Sequence, residues 1–483
     1  MIEPKKYRQL FLDDEALEST EGIEKVLNPP TKCGAVLTGD REKGQTGVQT
    51  RSAPFWNDQL KIWEWWYWGY YTVPPYGEYQ STSYRVTQYA RSADGLAWER
   101  PSLGRYKWQG SEDNNVAFDP EAGFEQPYHI LRDEHDTDGA RRYKGLHGVL
   151  DRRPAVSPNG FDWDMLDVKP VPSSDESHCL YDEITGEFLA LVKQPTEWGR
   201  SVWLSRSADF ERWTDPSLIL HSDEVDRANR RERIQKVVED PAYLSPAIVD
   251  ETDYLAEIYQ MAVLPYEGVY IGFPVLFNPA GAIPPPHMNY TAINQVELTV
   301  SRDLQVWERV ANREVFIGVD PRESESYGWA QNLPCGRPVV RKDGEIWIYY
   351  NACRFRGPRE LYPDIPEELL DDNSALCLAK VRKDGFVSLD AEEIGTVVTK
   401  PFVAQGVLKV NVDAADGKIG VEVLDADTMR PLPGFEIESC RTIEGDHLTA
   451  AVRWQEKSRV DAGSPVRMRF VMNRAKLFSF WLN

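Results

Sequence analysis

Long apolar runs are missing from this sequence. No stretch of eighteen apolar residues occurs in its 483 positions, so no segment reads as a transmembrane helix. The N-terminus, MIEPKKYRQLFLDD, lacks the apolar core of a signal peptide. The expected compartment is the cytoplasm, or the periplasm or exterior if a signal peptide has been removed. Cysteine is sparse: Cys33, Cys179, Cys335, Cys353, Cys377 and Cys440 are scattered without C-x-x-C or other metal-ligand spacing. Several fall inside apparent strands, so they are expected to be reduced core thiols, and no metal is predicted. A P-loop, a Rossmann glycine fingerprint, HExxH, an EF-hand loop and GxSxG are all absent, so no cofactor is expected and the simplest serine-hydrolase reading falls away. Positive charge is in deficit as well. Lys and Arg number 55 against 77 Asp and Glu, a net charge of −22 with pI near 4.9. A phosphate backbone or an anionic membrane would be repelled, so neither nucleic acid nor membrane is an expected partner. A neutral or cationic ligand fits better, and oligomeric state is left open.

What is present is a repeat. RSADGLAW places Ser92, Asp94, Gly95 and Trp98, and VSPNGFDW places Ser157, Asn159, Gly160 and Trp163. RSADFERW gives Ser207, Asp209 and Trp213; VSRDLQVW gives Ser301, Asp303 and Trp307; VRKDGFVS keeps Asp384 and Gly385 but has no Trp. Ser and Asp cap their own backbone and Gly accepts a left-handed conformation, so each copy reads as a turn between the third and fourth strands of a small sheet. Earlier strand pairs with hairpin signals precede the copies, clearest in SHCLYDEITGEFLALVKQ and GRPVVRKDGEIWIYYNAC. Repeated four-stranded sheets predict a five-bladed β-propeller with blades near 42–105, 106–172, 173–220, 240–312 and 325–392. Residues 1–41 are expected to close or flank it, with RQLFLDDEALES adding a strand to the ring, and 221–240 to form a helical insertion. From 395 to 483 the strands alternate without a repeat copy, which predicts a C-terminal antiparallel β-sandwich. The fold class is therefore all-β.

One segment, IWEWWYWGYY (62–71), is nearly all aromatic around Glu64. On a strand it is apolar on both faces, as a blade strand covered on both sides must be. Glu64 then needs a hydrogen-bonding partner, and only the Gly69–Tyr71 end is expected to meet a ligand.

The S-x-D-x-x-x-W turns, with LFLDD (10–14), YARSADGLAWERPSLG (89–104), PYEGVYIGFP (265–274) and the C-terminal VRMRF and AKLFSFW, resemble five-bladed propeller glycoside hydrolases. The likeness in architecture is to families 32 and 43, and is strongest to bacterial family-32-like proteins. It implies a glycosidase. The Asn-Asp-Pro, Arg-Asp-Pro and Glu-Cys motifs of family 32 have no counterpart here; Trp56-Asn57-Asp58 reads as a hairpin turn.

Catalytic residues must then come from geometry. If the inner strands are near 47–55, 112–118, 175–181, 257–264 and 331–340, their polar openings are Gln49 and Arg51; Asp113, Asn114 and Asn115; Asp175, Glu176 and His178; Glu257 and Tyr259; and Gln331, Asn332 and Arg337. Glycoside hydrolysis uses two carboxylates, one as acid and one as base or nucleophile. Asp175 and Glu257 are the expected pair, with Asp113 a third acid. Arg51, His178, Tyr259, Trp329, Asn332 and Arg337 are candidates for substrate binding. Each is equally readable as a structural side chain. Glu267 reads as a hairpin residue away from the axis. The expected activity is removal of a terminal sugar from an oligosaccharide or glycoside. The competing readings are a non-catalytic carbohydrate-binding propeller and a glycoside phosphorylase or transglycosylase, the last favoured by a basic cluster at the axis.

Overall fold

The computed structural model describes residues 2–72, 83–283, 288–322 and 325–483. The architecture is nearly all-β, and among the described residues no helix is long and apolar enough to cross a membrane. The strands form consecutive antiparallel meanders. In the first, Gln45–Gln49 and Phe55–Asn57 pair with Ile62–Thr72, which pairs with Ser83–Ser92. The second runs Pro127–Arg132, Tyr143–His147, Asp151–Ser157, with Asp164–Met165 outermost. The third is Ser177–Asp182, Glu187–Thr196, Gly199–Ser207, Ser217–Leu220. A fourth joins Glu257–Tyr266, Val269–Asn278, Thr299–Ser301 and Glu308–Arg309. In the last, Gln331–Pro334 pairs with Glu345–Cys353 and that with Ser374–Arg382, whose other edge takes Thr31–Leu37 from near the N-terminus.

Two placements differ from the sequence reading. The stretch 112–118 is not the first strand of the second meander: Val116 bridges Gln88 at the outer edge of the first, and Pro127–Arg132 takes the first position. The segment 8–19 adds nothing to a meander. Gln9 bridges Phe480, and Leu17–Glu21 pairs with Val387–Thr399, in a seven-stranded sheet with Val460–Leu482, Leu408–Asp425 and Ile443–Ala451. The charged stretch 221–240 does form a helix, Glu224–Glu239. It starts at a capping box in which the Asp223 carboxylate accepts from the Val225 and Asp226 N–H groups, while Asp226 reaches back.

The repeated turn is a small hydrogen-bonded machine. In its first copy Ser92 Oγ accepts from Gly95 N–H (2.9 Å), Asp94 Oδ1 from Leu96 and Ala97 N–H (2.8 and 3.0 Å), and Trp98 Nε1 donates to the Gly95 carbonyl (3.2 Å). The Ser301 copy repeats every contact. Gly95 and Gly160 supply the left-handed residue at φ 81° and 79°; Phe210 and Leu304 supply it at 65° and are fully buried, so packing offsets their backbone strain.

The aromatic strand is core on both faces. Trp65 meets Trp98 and Tyr349 (ring centroids 4.8 and 5.1 Å), whereas Trp66 meets Tyr89 and Tyr143 (4.8 and 5.8 Å). Glu64 is buried and accepts from Asn57 Nδ2 (2.7 Å), Tyr143 Oη (2.8 Å) and Tyr89 Oη (3.0 Å). Burial, reinforced by Glu64, pushes both phenols above their ordinary range. Glu64→Gln replaces an acceptor with a donor facing two hydroxyls and an amide. It should lower stability by about 1–3 kcal/mol, read as a fall in the urea midpoint; an unchanged midpoint would mean the network adds nothing.

The cysteines are all free. Cys335, Cys353 and Cys377 are buried as expected, but Cys33 is exposed on the edge strand Thr31–Leu37, where alternate side chains point to solvent.

Candidate functional site

A polar cluster gathers just after the first strand of the first meander and at the starts of the first strands of the next three. Arg51, just beyond Gln45–Gln49, is buried and grips Glu176 with two nitrogens, Nε and Nη2, the latter 2.7 Å from Oε1. Tyr128 Oη adds a bond to Glu176 Oε2 at 3.1 Å. Burial alone would raise the Glu176 pKa; the Arg51 charge and its hydrogen bonds, with Lys193 beyond, hold it far below the ordinary carboxylate range. Glu176 is therefore fixed as an anion.

Next to it Asp175 sits at φ 68°, a left-handed conformation that Asp tolerates better than most residues. Its side chain is half exposed and pairs with the buried Lys193 ammonium of Glu187–Thr196. Burial lowers the Lys193 pKa, against the pull of Asp175 and Glu176. Lys193 Nζ also stands 4.4 Å from the centroid of the half-buried Tyr259 ring, which stacks on Phe277 at 5.7 Å. Arg200 lies 4.5 Å from the Phe277 centroid and donates from Nη1 and its main-chain N–H to Glu257 Oε2, at 2.8 and 2.9 Å. Gly199 makes that approach feasible: its φ is +76°, and a Cβ there would stand 2.7 Å from the Glu257 carboxyl carbon. Burial raises the Tyr259 phenol, with Glu176, Arg356, Asp175 and Arg51 acting on it electrostatically. All of these groups thus converge on one ring.

Two histidines sit beneath. His129 Nδ1 is 3.0 Å from the Arg51 carbonyl, which can only accept, so Nδ1 carries the proton. Nε2 then accepts from Ser177 Oγ (2.7 Å), which in turn accepts from Arg152 Nε (2.7 Å). His178, 6.1 Å from His129 ring to ring, is fully buried, and its pKa is pushed down to about 3 by burial and the Arg51 charge. Both imidazoles are neutral supports.

Of the residues singled out from sequence, Arg51, Asp175, His178, Glu257 and Tyr259 come together. Asp113 does not join them. It is exposed at the outer edge of the first meander, its N–H donating to Ser111 Oγ (3.0 Å). Trp329 is packed in a separate apolar cluster with Leu244, Phe355 and Tyr362. Asn332 is buried, donating to the Gly318 carbonyl at 2.8 Å. Arg337 pairs with Glu183 at 2.7 Å, in the turn after Ser177–Asp182, roughly 20 Å of strand away from Asp175. Glu267 lies in the hairpin after Glu257–Tyr266, accepting from Arg8 N–H at 2.9 Å, and burial raises its pKa.

The sequence reading passed over Lys193, Arg200 and Arg356. The signal was there for the first two: a cation inside or beside apolar strands, LALVKQ and GRSVWL, must find a buried partner. Tyr70, at the strand end where a ligand contact was expected, is half-buried, and its phenol is raised by burial and acted on by Arg85, Arg51 and Glu176. Among the described residues no group of three His, Cys, Asp or Glu side chains is arranged to hold a metal.

No family model matches the chain, and no curated protein matches it. Solved structures to which it is similar include a glycoside hydrolase, 14% identical over 73% of this chain and 92% of that one, with a TM-score of 0.43. Another is the Bombyx mori GH32 beta-fructofuranosidase BmSUC1, 11% identical over 94% of each chain, TM-score 0.40. A third comes from the GH130 family of mannoside phosphorylases, containing glycoside hydrolases that target beta-1,2 mannosidic linkages in Candida mannan. It is 12% identical over 74% of this chain and 94% of that one, TM-score 0.40.

Proposed function

We propose that the chain is a glycosidase that removes a terminal sugar from an oligosaccharide or glycoside, at the centre of a five-bladed β-propeller (42–394) followed by a β-sandwich (395–483). The meanders and their S-x-D turns support the propeller. The observation that carries the function is that Asp175 and Glu257 are each joined to a cation that stands over the half-buried Tyr259 ring, Lys193 at 4.4 Å and Arg200 at 5.8 Å from its centroid. A sugar bound beside that ring would meet both carboxylates, as glycoside hydrolysis requires.

The roles follow from the partners. Glu257, accepting two N–H bonds from Arg200, is the ionised base that takes a proton from the attacking water. Asp175, half exposed, delivers a proton to the departing oxygen. It draws on the Lys193 ammonium, whose pKa burial has already lowered. Water gives its hydroxyl to the anomeric carbon, the glycosidic C–O bond breaks, and solvent returns the proton from Glu257 to Lys193. Glu176 stays ionised and holds Arg51 in place.

The test is a panel of aryl glycosides and oligosaccharides assayed with the wild-type chain, Asp175→Asn and Glu257→Gln. Each substitution should lower kcat by about 10²–10⁴-fold with the denaturation midpoint retained. Activity that survives both would sink the assignment of Asp175 and Glu257, and no cleavage of any glycan would favour the carbohydrate-binding reading.

A further inference from the structure

Although the chain carries a net charge of −22, the sign reverses around Tyr259. Arg51, Lys193, Arg200 and Arg356 outnumber Asp175, Glu176 and Glu257 there. Arg51 is matched by Glu176, Lys193 by Asp175 and Arg200 by Glu257. Arg356 is not matched: among the described residues no carboxylate lies within 4.0 Å of it. Its Nε donates to the Asn289 carbonyl at 2.7 Å and its Nη1 to Gln331 Oε1. The guanidinium is only half-buried, 5.4 Å from the Tyr259 centroid and 5.7 Å from that of Phe277.

Arg200 uses the same supports. Its Nη2 donates to Asn289 Oδ1 at 2.6 Å, and its guanidinium stands 4.5 Å from Phe277. Two guanidinium groups therefore share one asparagine and one pair of stacked rings, with an ammonium on the same tyrosine. Aromatic faces offset part of the mutual repulsion. A neutral sugar would offset none of it, and water-based cleavage has no use for a cation beyond those that hold the carboxylates. Planar guanidinium forks anchored on one asparagine match an oxyanion.

We infer that this site takes an oxyanion, held by Arg356 and Arg200 beside the Tyr259 ring. Two sources share that chemistry: the carboxylate of a uronic acid residue in the substrate, or inorganic phosphate acting in place of water. With phosphate, its oxygen bonds to the anomeric carbon and the glycosidic C–O bond breaks. The leaving oxygen takes a proton through Asp175, and the proton lost from phosphate goes to Glu257. The inference rests on the glycoside reading for its chemistry, while the binding can be measured without it.

The test is calorimetric titration of the full chain at low ionic strength with glucuronate, galacturonate and inorganic phosphate, beside neutral glucose and galactose. Arg356→Gln and Arg356→Lys are titrated in parallel. An oxyanion should bind at least about tenfold more tightly to wild type than to Arg356→Gln, with Arg356→Lys keeping part of the difference and added salt weakening it. Binding of a uronate alone assigns the substrate carboxylate. Binding of phosphate, with release of a sugar phosphate from a cleaved glycoside, assigns the attacking group. Absence of heat with every oxyanion, or equal binding by Arg356→Gln, overturns the inference. Cleavage of neutral glycosides without any oxyanion effect also overturns it and leaves the glycosidase standing. Oxyanion binding without cleavage of any glycoside supports the site and removes the glycosidase.

Discussion

Glu176→Ala should destabilise the chain by about 3–5 kcal/mol, because it leaves the Arg51 guanidinium buried with no countercharge. Both side chains are about 95% shielded, so solvent screening cannot take over the role of the lost partner. Arg51→Met should cost a similar amount by stranding Glu176. The double variant Arg51→Met/Glu176→Leu should recover part of the loss, since neither charge then remains to be satisfied. Denaturant midpoints for the four proteins form the cycle; single and double losses that simply add would show that the pair is not coupled. The pH dependence has a definite sign. The folded pKa of Glu176 is depressed from an ordinary 4.5, so its contribution is complete above about pH 4.5 and is lost as pH falls through the folded value. Wild type should weaken with acid over that range, and Glu176→Gln should lose this part of the acid sensitivity.

This pair also marks where sequence reasoning stops. The Ser-x-Asp turns could be read because every contact that makes them lies within six residues, and a side chain bonding its own backbone leaves a local pattern. The strand Ile62–Thr72 could be read because its composition tolerates no other placement. Arg51 and Glu176 are 125 residues apart, and nothing local in either segment names the other. Asp113 was misplaced for a related reason. The polar run SEDNN looks like a strand opening, but Val116 forms only a single bridge at an outer edge, while the true first strand, PYHILR, carries its polar groups inside the strand, in Tyr128 and His129. Arg356 belongs to a Pro- and Gly-rich loop whose course composition alone does not fix.

Asp384→Ala is the second large expected effect, again about 3–5 kcal/mol. Asp384 comes from the repeat copy that lost its tryptophan, and there the left-handed residue is the aspartate itself, at φ 64°, one place before the position held by Gly95 and Phe210 in other copies. Freed from a turn's needs, its carboxylate is fully buried and does a different job. Oδ2 accepts from Arg8 Nη1 (2.7 Å), Ser479 Oγ (2.6 Å) and Asn411 Nδ2 (3.1 Å), and Oδ1 from Tyr266 Oη. Those donors come from the N-terminal segment, two strands of the seven-stranded sheet and the hairpin of the fourth meander. Arg8 is further held by its guanidinium over the Trp481 ring at 3.7 Å. Alanine would leave Arg8 with only the more distant Glu267 carboxylate, at 3.8 Å, and strand three neutral donors at once, whereas Asp384→Asn keeps the volume and should cost less, about 1–3 kcal/mol. Tyr266→Phe removes one donor without removing the acceptor and should cost about 1 kcal/mol. The ordering Ala, Asn, Phe in denaturant midpoints separates a charge-centred junction from a simple cavity, for which Asn would be close to neutral. Amide exchange adds the spatial reading: in Asp384→Ala, protection should fall first at Gln9 and Phe480, whose main chains bridge beside the lost carboxylate, and equal protection there in both proteins would place the junction elsewhere.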